Sequence, residues 1–219
     1  MDSLHQIANW MPALVHATGT TLALTATSVV TALALGIVLA LAKISGNSWI
    51  NKPATAYVFF FRGTPLLIQL FFIYFGLPQI FPELNISSRF LAAYIAFSLN
   101  IAAYLAEIIR AAIQSIDKGQ MEAARSLGMG YGQAMRLVVI PQSYRRMIPP
   151  VCNEFIMVLK DTALVSIIAL NDLTFQTKMI ASNKASALVY VPALAIYLVL
   201  TAIFTIIFNN LEKKFSVYE

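Results

Sequence analysis

Three polar side chains recur at helical spacing inside an otherwise apolar stretch, residues 90–113: Asn100, Tyr104 and Glu107. Spacings of four and three place them on one face of a helix. An amide, a phenol and a carboxylate on one face can bind a polar ligand through hydrogen bonds and charge. We therefore predict that this face lines a pathway for a polar substrate. Glu107 belongs to it as a candidate, although a structural ion pair with Arg110, one turn further on, is the favoured interpretation.

A second group of charged side chains follows a pair of prolines. Pro149 and Pro150 predict an interruption of their helix, and broken helices at membrane depth expose backbone groups that bind polar ligands. Glu154 can then hold an ammonium group or the cationic side chain of arginine, lysine or histidine. Pairing with a basic group of the bundle is the alternative for this carboxylate. Lys160 and Asp161 are interpreted as mainly structural or gating, and Asp161 is kept as a candidate pathway residue.

A short polar segment, residues 119–130, reads GQMEAARSLGMG and predicts an amphipathic helix. Ala123, Ala124 and Gly128 are small enough to let the backbone of another protein approach closely. Glu122 adds a charge that a basic partner can bind. The segment is thus a candidate docking site for a second protein. An ordinary amphipathic helix resting on its own bundle is the alternative, and spacing alone does not separate the two.

Other polar residues fit structural roles. Arg62 and Pro65 stand near one end of an apolar run, where an arginine reaches for the membrane surface and a proline kinks the helix. Gln69, one turn after the proline, is a weaker candidate for the pathway. Small hydroxyl residues at helical spacing in an earlier run predict close helix packing. These are Thr18, Thr21, Thr25 and Ser28.

The composition indicates which class of protein carries these residues. The 219 residues have a mean hydropathy of +0.74 and only 11% are charged, well below the soluble average of about a quarter. This indicates an integral membrane protein. The single cysteine, Cys152, excludes an internal disulfide, and His5 and His16 lack the spacing of metal ligands. No paired carboxylates or nucleophile constellation point to an enzyme, so we predict no catalytic residue, metal or cofactor in this chain.

The apolar runs are long enough to cross the roughly 30 Å hydrocarbon layer as helices of about 20 residues. We predict an all-α membrane protein with one domain, residues 1–219, and about five transmembrane helices. Nine lysines and arginines lie on one side of these helices and three on the other, so the richer side is cytoplasmic. The N-terminus is then outside and the C-terminus cytoplasmic, and the net charge of +5 reflects topology rather than nucleic-acid binding. The predicted spans are 18–42, 57–75, 90–113, 147–159 with a continuation after a break to 170, and 188–208.

Longer stretches of the chain carry a family resemblance. The segment EAARSLGMGYGQAMRLVVIP, residues 122–141, resembles the cytoplasmic loop of ATP-binding-cassette importer permeases, with Val138 where isoleucine is more usual. The resemblance continues through residues 60–78, 100–120 and 145–170. Nearly the whole chain is therefore similar to the permeases of polar amino-acid uptake systems, of the glutamine, histidine and arginine type.

The resemblance implies how such a chain is powered. In the family this loop, here about residues 117–141, lies between the third and fourth transmembrane helices and forms a coupling helix. That helix docks on a cytoplasmic ATPase subunit, with the positions of Glu122, Ala123, Ala124 and Gly128 at the contact. The chain lacks a GxxxxGK[ST] phosphate-binding loop. ATP and Mg²⁺ are therefore expected on a separate ATPase subunit.

The resemblance also implies the remaining partners. The chain is expected in the bacterial cytoplasmic (inner) membrane, surrounded by lipid, as half of a pathway shared with a second permease, identical or homologous. An ATPase dimer and an extracytoplasmic amino-acid-binding protein complete the expected importer of polar amino acids, basic ones included. The alternative is a secondary transporter driven by an ion gradient, with Glu107, Glu154 and Asp161 as the proton or sodium sites.

Overall fold

The protein is built from helices in the part of the chain that its structure, a computed structural model, describes. That part is residues 2–216, with side chains from 5 to 215. The first helix is long because an almost unbroken apolar run follows its polar beginning, and a proline at position 12 does not interrupt it. A sharp bend divides the next apolar run into shorter pieces. In order, these elements are α1 (Asp2–Ile44), α2 (Ser48–Gly63), α3 (Leu66–Phe71), a π-helical turn (Phe72–Gly76), α4 (Leu77–Ile80) and a 3-10 turn (Pro82–Leu84).

The second half begins with a long helix that Ser88 caps, its side chain accepting from the amide of Leu91 at 3.2 Å. Shorter elements follow, and another long helix closes the described chain. These are α5 (Arg89–Gln114), α6 (Lys118–Ser126), α7 (Tyr131–Ala134), a π-helical turn (Met135–Val139), α8 (Ile140–Asp161), a 3-10 stretch (Thr162–Ile168), α9 (Leu173–Lys184), a 3-10 turn (Ala187–Val189) and α10 (Tyr190–Ser216).

Three stretches of helix in the described chain are long and apolar enough to cross a membrane: His5–Ile44, Arg89–Gln114 and Ala187–Phe215. The first, third and fifth predicted spans fall within them. The second predicted span was expected as one kinked helix, but it coincides with a pair of helices that meet at 101° across Gly63 and Leu66. If that pair is one span, the count becomes four. The fourth predicted span lies in α8, which is too rich in polar residues to qualify by composition.

The core lies where α1 packs along α5, and small residues allow the close approach. A Cβ at Gly36 would stand 3.0 Å from the Leu105 Cβ and 3.2 Å from the Ala102 carbonyl oxygen, so only glycine fits without a shift. The hydroxyl stripe of α1 is buried, and two of its four members bond to their own helix: Thr18 donates to the Leu14 carbonyl and Thr25 to the Thr21 carbonyl, each at 2.8 Å. The small side chains of this stripe therefore let α1 pack closely against its neighbouring helices.

The predicted interruption at Pro149 and Pro150 was wrong. Both prolines lie inside α8, which continues to Asp161. Two prolines remove the hydrogen bonds that would end on the carbonyls of Arg145 and Arg146. Those two residues are exposed, so water can replace the lost bonds and the helix continues. The real break comes later, at the 3-10 stretch Thr162–Ile168.

Helix α9, which no sequence pattern singled out, depends on a buried cap. The Asp172 carboxylate is fully buried and accepts from the amides of Phe175 at 2.8 Å and Thr174 at 3.1 Å. The amide of Leu173 donates to the Thr21 hydroxyl of α1 at 3.2 Å. The amides that would be unsatisfied at the start of α9 are thus bonded, and α9 is fastened to α1.

We expect Asp172→Ala to lower the free energy of unfolding by about 2 kcal/mol, because it removes the cap and leaves buried amides without partners. For a chain of this size that is a fall of about 4 to 8 °C in the unfolding midpoint of the detergent-solubilised protein. Asp117→Ala is the matched control, since Asp117 also caps a helix, accepting from Gly119 at 2.7 Å, but is exposed. Equal losses for the two variants would contradict the role of burial.

Candidate functional site

A cavity of about 410 Å³ lies between α2, α5 and α8. Four of the six predicted pathway residues line it, namely Asn100, Tyr104, Glu154 and Asp161, together with Arg62. Apolar residues complete the wall, so the charged groups stand in a mainly apolar surround. The cavity therefore combines two carboxylates, one guanidinium, an amide and a phenol around one space.

The two carboxylates come from a single helix. Glu154 and Asp161 are seven residues apart on α8, which is two turns, so both lie on the same face. Lys160, next to Asp161, is not part of the cavity wall. Because α8 runs without interruption past the prolines, its regular geometry is what brings the two acidic groups into one cavity. Their arrangement suits a ligand that carries positive charge.

The bend between α2 and α3 is held by two amide side chains that sequence spacing treated as pathway candidates. Gln69 donates to the Thr64 hydroxyl at 2.7 Å and to the carbonyls of Thr64 and Phe61 at 3.1 Å each. Asn100 donates to the same Phe61 carbonyl at 2.9 Å and to the Gln69 side-chain oxygen at 3.0 Å. These bonds satisfy carbonyls that the bend leaves open. Gln69 thus stabilises the bend and does not line the cavity. Asn100 stabilises the bend and also lines the cavity.

Arg62 is the cavity residue that sequence reasoning missed. Its guanidinium carbon lies 5.3 Å from the centre of the Tyr104 ring, a cation–π distance, and one nitrogen lies 3.9 Å from the Glu107 carboxylate. The sequence placed it near the end of a span, where an arginine ordinarily reaches for the membrane surface. Gly63, Thr64 and Pro65 were the available signal, because a bend there turns the chain back and leaves Arg62 at the wall of the cavity.

Glu107 lies outside the cavity and joins an ion-pair cluster at the ends of α1, α2 and α5. Arg110 donates to one carboxylate oxygen at 2.7 and 3.0 Å, so the ion pair expected from sequence is present. Lys43 of α1 bonds the other oxygen. The Glu107 carboxylate is therefore occupied by cations from its own chain, and it links α1 to α5.

Glu107→Gln should lower the free energy of unfolding by about 1 to 2 kcal/mol, since it leaves Lys43 and Arg110 without their counter-charge in a partly buried setting. The unfolding midpoint should fall by roughly 4 °C, with no change in the order of preference among amino acids. Glu83→Gln, in an exposed turn, is the control and should leave the midpoint unchanged. A changed substrate preference at unchanged stability would contradict the structural role.

The segment expected to dock on a second protein forms α6 and its C-terminal turn. Glu122 and Ala123 are exposed, and Gly128 adopts φ +86°, a left-handed conformation that ends the helix and favours glycine. Ala124 was expected at the docking surface, but it is only 4% exposed and faces its own chain. Helical geometry gives α6 two faces, so adjacent alanines need not share a surface. The outward surface of this segment therefore consists of Glu122, Ala123 and the turn at Gly128.

No three His, Cys, Asp or Glu side chains within residues 5–215 come together as a metal site would require. The polar wall of the cavity between α2, α5 and α8 consists of charged and hydrogen-bonding side chains.

Residues 32–217 match the family model described as the binding-protein-dependent transport system inner membrane component. The arginine transport system permease protein of Bacillus subtilis is 41% identical over 207 residues, 93% of this chain and 93% of that protein. The glutamine transport system permease protein of Escherichia coli is 35% identical over 208 residues, 94% of each chain.

Solved structures agree with the sequence relatives. A crystal structure of an amino acid ABC transporter with histidines superimposes with a TM-score of 0.90 at 41% identity, covering 95% of this chain and 97% of that one. An inward-facing methionine ABC transporter has a TM-score of 0.79 at 20% identity, covering 94% and 97%. The second likeness, at its low identity, concerns the fold alone.

Proposed function

The chain belongs to the family of binding-protein-dependent transport system inner membrane components, and from this premise we propose that it carries polar amino acids, basic ones foremost. It is a permease subunit of an ATP-driven amino-acid importer, the membrane component rather than the ATPase. The family does not support the alternative of a secondary transporter driven by an ion gradient. Transport leaves every covalent bond of the substrate intact, so the site has to bind the substrate, orient it and release it.

The charge of the cavity supports a cationic side chain on the substrate. Glu154 and Asp161 provide two carboxylates and Arg62 one guanidinium, so a substrate with one carboxylate and two cationic groups balances the site. The guanidinium pairs with the α-carboxylate, because its planar fork matches a carboxylate. The acidic face of α8 then receives the α-ammonium and the cationic side chain, while Asn100 and Tyr104 add hydrogen bonds. The two carboxylates in one cavity are the observation that carries this assignment.

The relatives' substrates are consistent with this reading. One curated relative is named for arginine and another for glutamine, two polar amino acids that differ in side-chain charge. A pocket that tolerates glutamine can use hydrogen bonds alone, whereas an additional positive charge is stabilised by a carboxylate in a low-dielectric site. The acidic pair therefore favours the basic cargo without excluding the neutral one.

We further propose five membrane spans, with the N-terminus outside and the C-terminus in the cytoplasm of a bacterium. Helices α1, α5, α8 and α10 each supply one, and the bent pair of α2 with α3 and α4 supplies the fifth. The excess of lysine and arginine on the side of α6 supports this orientation. Helix α8 tolerates the membrane because its polar face lines the cavity instead of lipid.

Helix α6 serves as the coupling helix in this proposal. Glu122 and Ala123 on its outward surface, with the turn at Gly128, dock on a cytoplasmic ATPase subunit that binds ATP and Mg²⁺; Ala124 packs the helix onto its own bundle. Two permease subunits and two ATPase subunits assemble, and an extracytoplasmic protein delivers the amino acid. Closure of the ATPase pair moves the two coupling helices, and the bundle alternates between an outward-open and an inward-open cavity.

The test is uptake by the whole importer reconstituted in vesicles, with its ATPase and binding protein. We expect uptake of arginine, lysine or histidine that requires ATP inside and is competed weakly by acidic amino acids. Uptake by the permease alone under a pH or sodium gradient would overturn the ATP-driven function. Equal uptake of glutamate and arginine would overturn the cargo but not the permease class.

A further inference from the structure

A second cavity, of about 470 Å³, adjoins the proposed substrate cavity and is lined by the end of α1 and by parts of α2 and α5. Arg62, Gly63 and Tyr104 line both cavities. The guanidinium of Arg62, held over the Tyr104 ring, therefore lies at the boundary between them. Its charge interacts with Glu154 on one side, and one of its nitrogens lies 3.9 Å from the Glu107 carboxylate on the other. Two acidic groups thus compete for one cation.

Other cations already occupy the oxygens of the Glu107 carboxylate. One oxygen accepts two hydrogen bonds from Arg110, at 2.7 and 3.0 Å, which use both of its lone pairs. The same oxygen lies 3.9 Å from Arg62, beyond the roughly 2.7 to 2.9 Å of a charge-assisted hydrogen bond. The other oxygen accepts from Lys43. Glu107 therefore attracts Arg62 without binding it closely.

Arg62 is the most exposed of the three cations around Glu107. Its side chain is 43% exposed, against 14% for Lys43 and 29% for Arg110. Within residues 5–215 its guanidinium donates no hydrogen bond, and its close contacts are the cation–π contact with Tyr104 and the long ion pair with Glu107. The guanidinium can therefore turn to a carboxylate in the substrate cavity without breaking a strong bond.

We propose that Lys43 is a positioning residue for substrate binding: by holding the second oxygen of Glu107, it keeps Arg62 available for the α-carboxylate of the amino acid. Lys43 lines the second cavity and not the substrate cavity, so it acts through Glu107 and Arg62 rather than on the substrate. Without Lys43, that oxygen is free to accept from Arg62, and the guanidinium is drawn away from the substrate cavity. The inference rests on the proposed pairing of Arg62 with the substrate carboxylate.

The test is equilibrium binding of arginine and of argininamide, in which a neutral amide replaces the α-carboxylate, to the complex of permease and ATPase in nanodiscs. Lys43→Met introduces a side chain of similar length that cannot donate. Its affinity for arginine should fall about tenfold, the low end of what a hydrogen bond to a charged group contributes. Its affinity for argininamide should change by less than about twofold, because that ligand has no charged partner for Arg62. Lys43→Arg restores a donor and should bind arginine as wild type does.

Further variants separate this role from loss of structure. Glu107→Gln combined with Lys43→Met removes the competing charge, so the affinity for arginine should return to within about twofold of wild type, a coupling that independent sites would not show. Lys52→Met is the matched control and should leave both affinities unchanged, because Lys52 is exposed and lines neither cavity. If Lys43→Met does not fold, Glu107→Gln alone tests the proposal: it should bind arginine more tightly and argininamide as before.

Four results would overturn the proposal. Equal weakening of arginine and argininamide in Lys43→Met would indicate general damage to α1. A combined variant as weak as Lys43→Met would show that Glu107 is not the competitor. Equal affinities of wild type for arginine and argininamide would overturn the pairing of Arg62 with the substrate carboxylate, and this inference with it. A preference for arginine in wild type that Lys43→Met leaves unchanged would overturn this inference alone.

Discussion

Uptake of a basic amino acid by the reconstituted importer should fall about thirtyfold when the half-buried Glu154 is replaced by Gln, because a hydrogen bond to a charged group contributes roughly 1.5 to 3 kcal/mol. The variant keeps the shape of the side chain and one acceptor oxygen, but it removes the negative charge and replaces the second acceptor oxygen with an NH2 donor. Glutamine carries no side-chain cation, so its uptake should change by less than about threefold on the same reasoning. Initial rates of both substrates, measured with the same preparation, give the ratio directly.

Two further variants separate charge recognition from general damage. Asp161→Asn should act in the same direction, since Asp161 lies on the same face of α8, and Glu83→Gln should leave both rates unchanged. If Glu154→Gln lowered the uptake of the basic amino acid and of glutamine equally, the result would contradict a role of Glu154 in recognising the charge of the substrate. It would instead assign the carboxylate to the structure of the bundle.

Gly128→Trp should abolish coupled transport while the ATPase continues to hydrolyse ATP. The bulk of tryptophan blocks the proposed docking surface beside Glu122, and a Cβ at Gly128 would have no described residue within 4 Å apart from its own chain neighbours. Transport and ATP hydrolysis are measured on the same vesicles. Transport should fall about a hundredfold, as expected when a buried contact of 2 to 4 kcal/mol is removed, while the rate of ATP hydrolysis is retained.

Backbone strain has to be distinguished from bulk, because φ +86° at Gly128 is unfavourable for any side chain. Gly128→Ala introduces the strain without the bulk and should retain most transport. Gly132→Trp introduces the same bulk four residues later, where glycine also has open space around it. Loss of transport in Gly128→Ala equal to that in Gly128→Trp would remove the argument for docking at this position.

Much of the fold follows from local properties of the sequence. Three spans could be predicted because apolar length is visible in the chain itself, and the buried hydroxyl stripe of α1 because its spacing is regular. The 101° turn after Gly63 could not be, since its size depends on Gln69 and Asn100 meeting from different helices. Pro149 and Pro150 were misleading because their local effect is disruptive, and the sequence does not show that Arg145 and Arg146, whose carbonyls lose their hydrogen bonds, are exposed to water.

The candidate site was predictable to the extent that polar residues in apolar runs mark a polar space. Asn100, Tyr104, Glu154 and Asp161 stood out in this way and meet in one cavity. Arg62 did not, because a cation near the end of a span is ordinarily explained by contact with the membrane surface, and only the bend that follows places it at the cavity wall. The partnership of Lys43 with Glu107 was equally invisible, since 64 residues separate them.

The length of α1 has a mechanical consequence. Its 43 residues span about 64 Å at 1.5 Å per residue, roughly twice the thickness of the hydrocarbon layer. A rod of that length is a lever: a change in tilt of about 5° displaces one end by about 6 Å relative to the other, at the same rise per residue. Lys43, at the C-terminal end of α1, pairs with Glu107 of α5, and Thr21, near the middle of α1, accepts a hydrogen bond from the amide of Leu173 in α9. In the orientation proposed above, a small change in the tilt of α1 at its cytoplasmic end would displace its opposite end by several ångströms, about 6 Å for 5°.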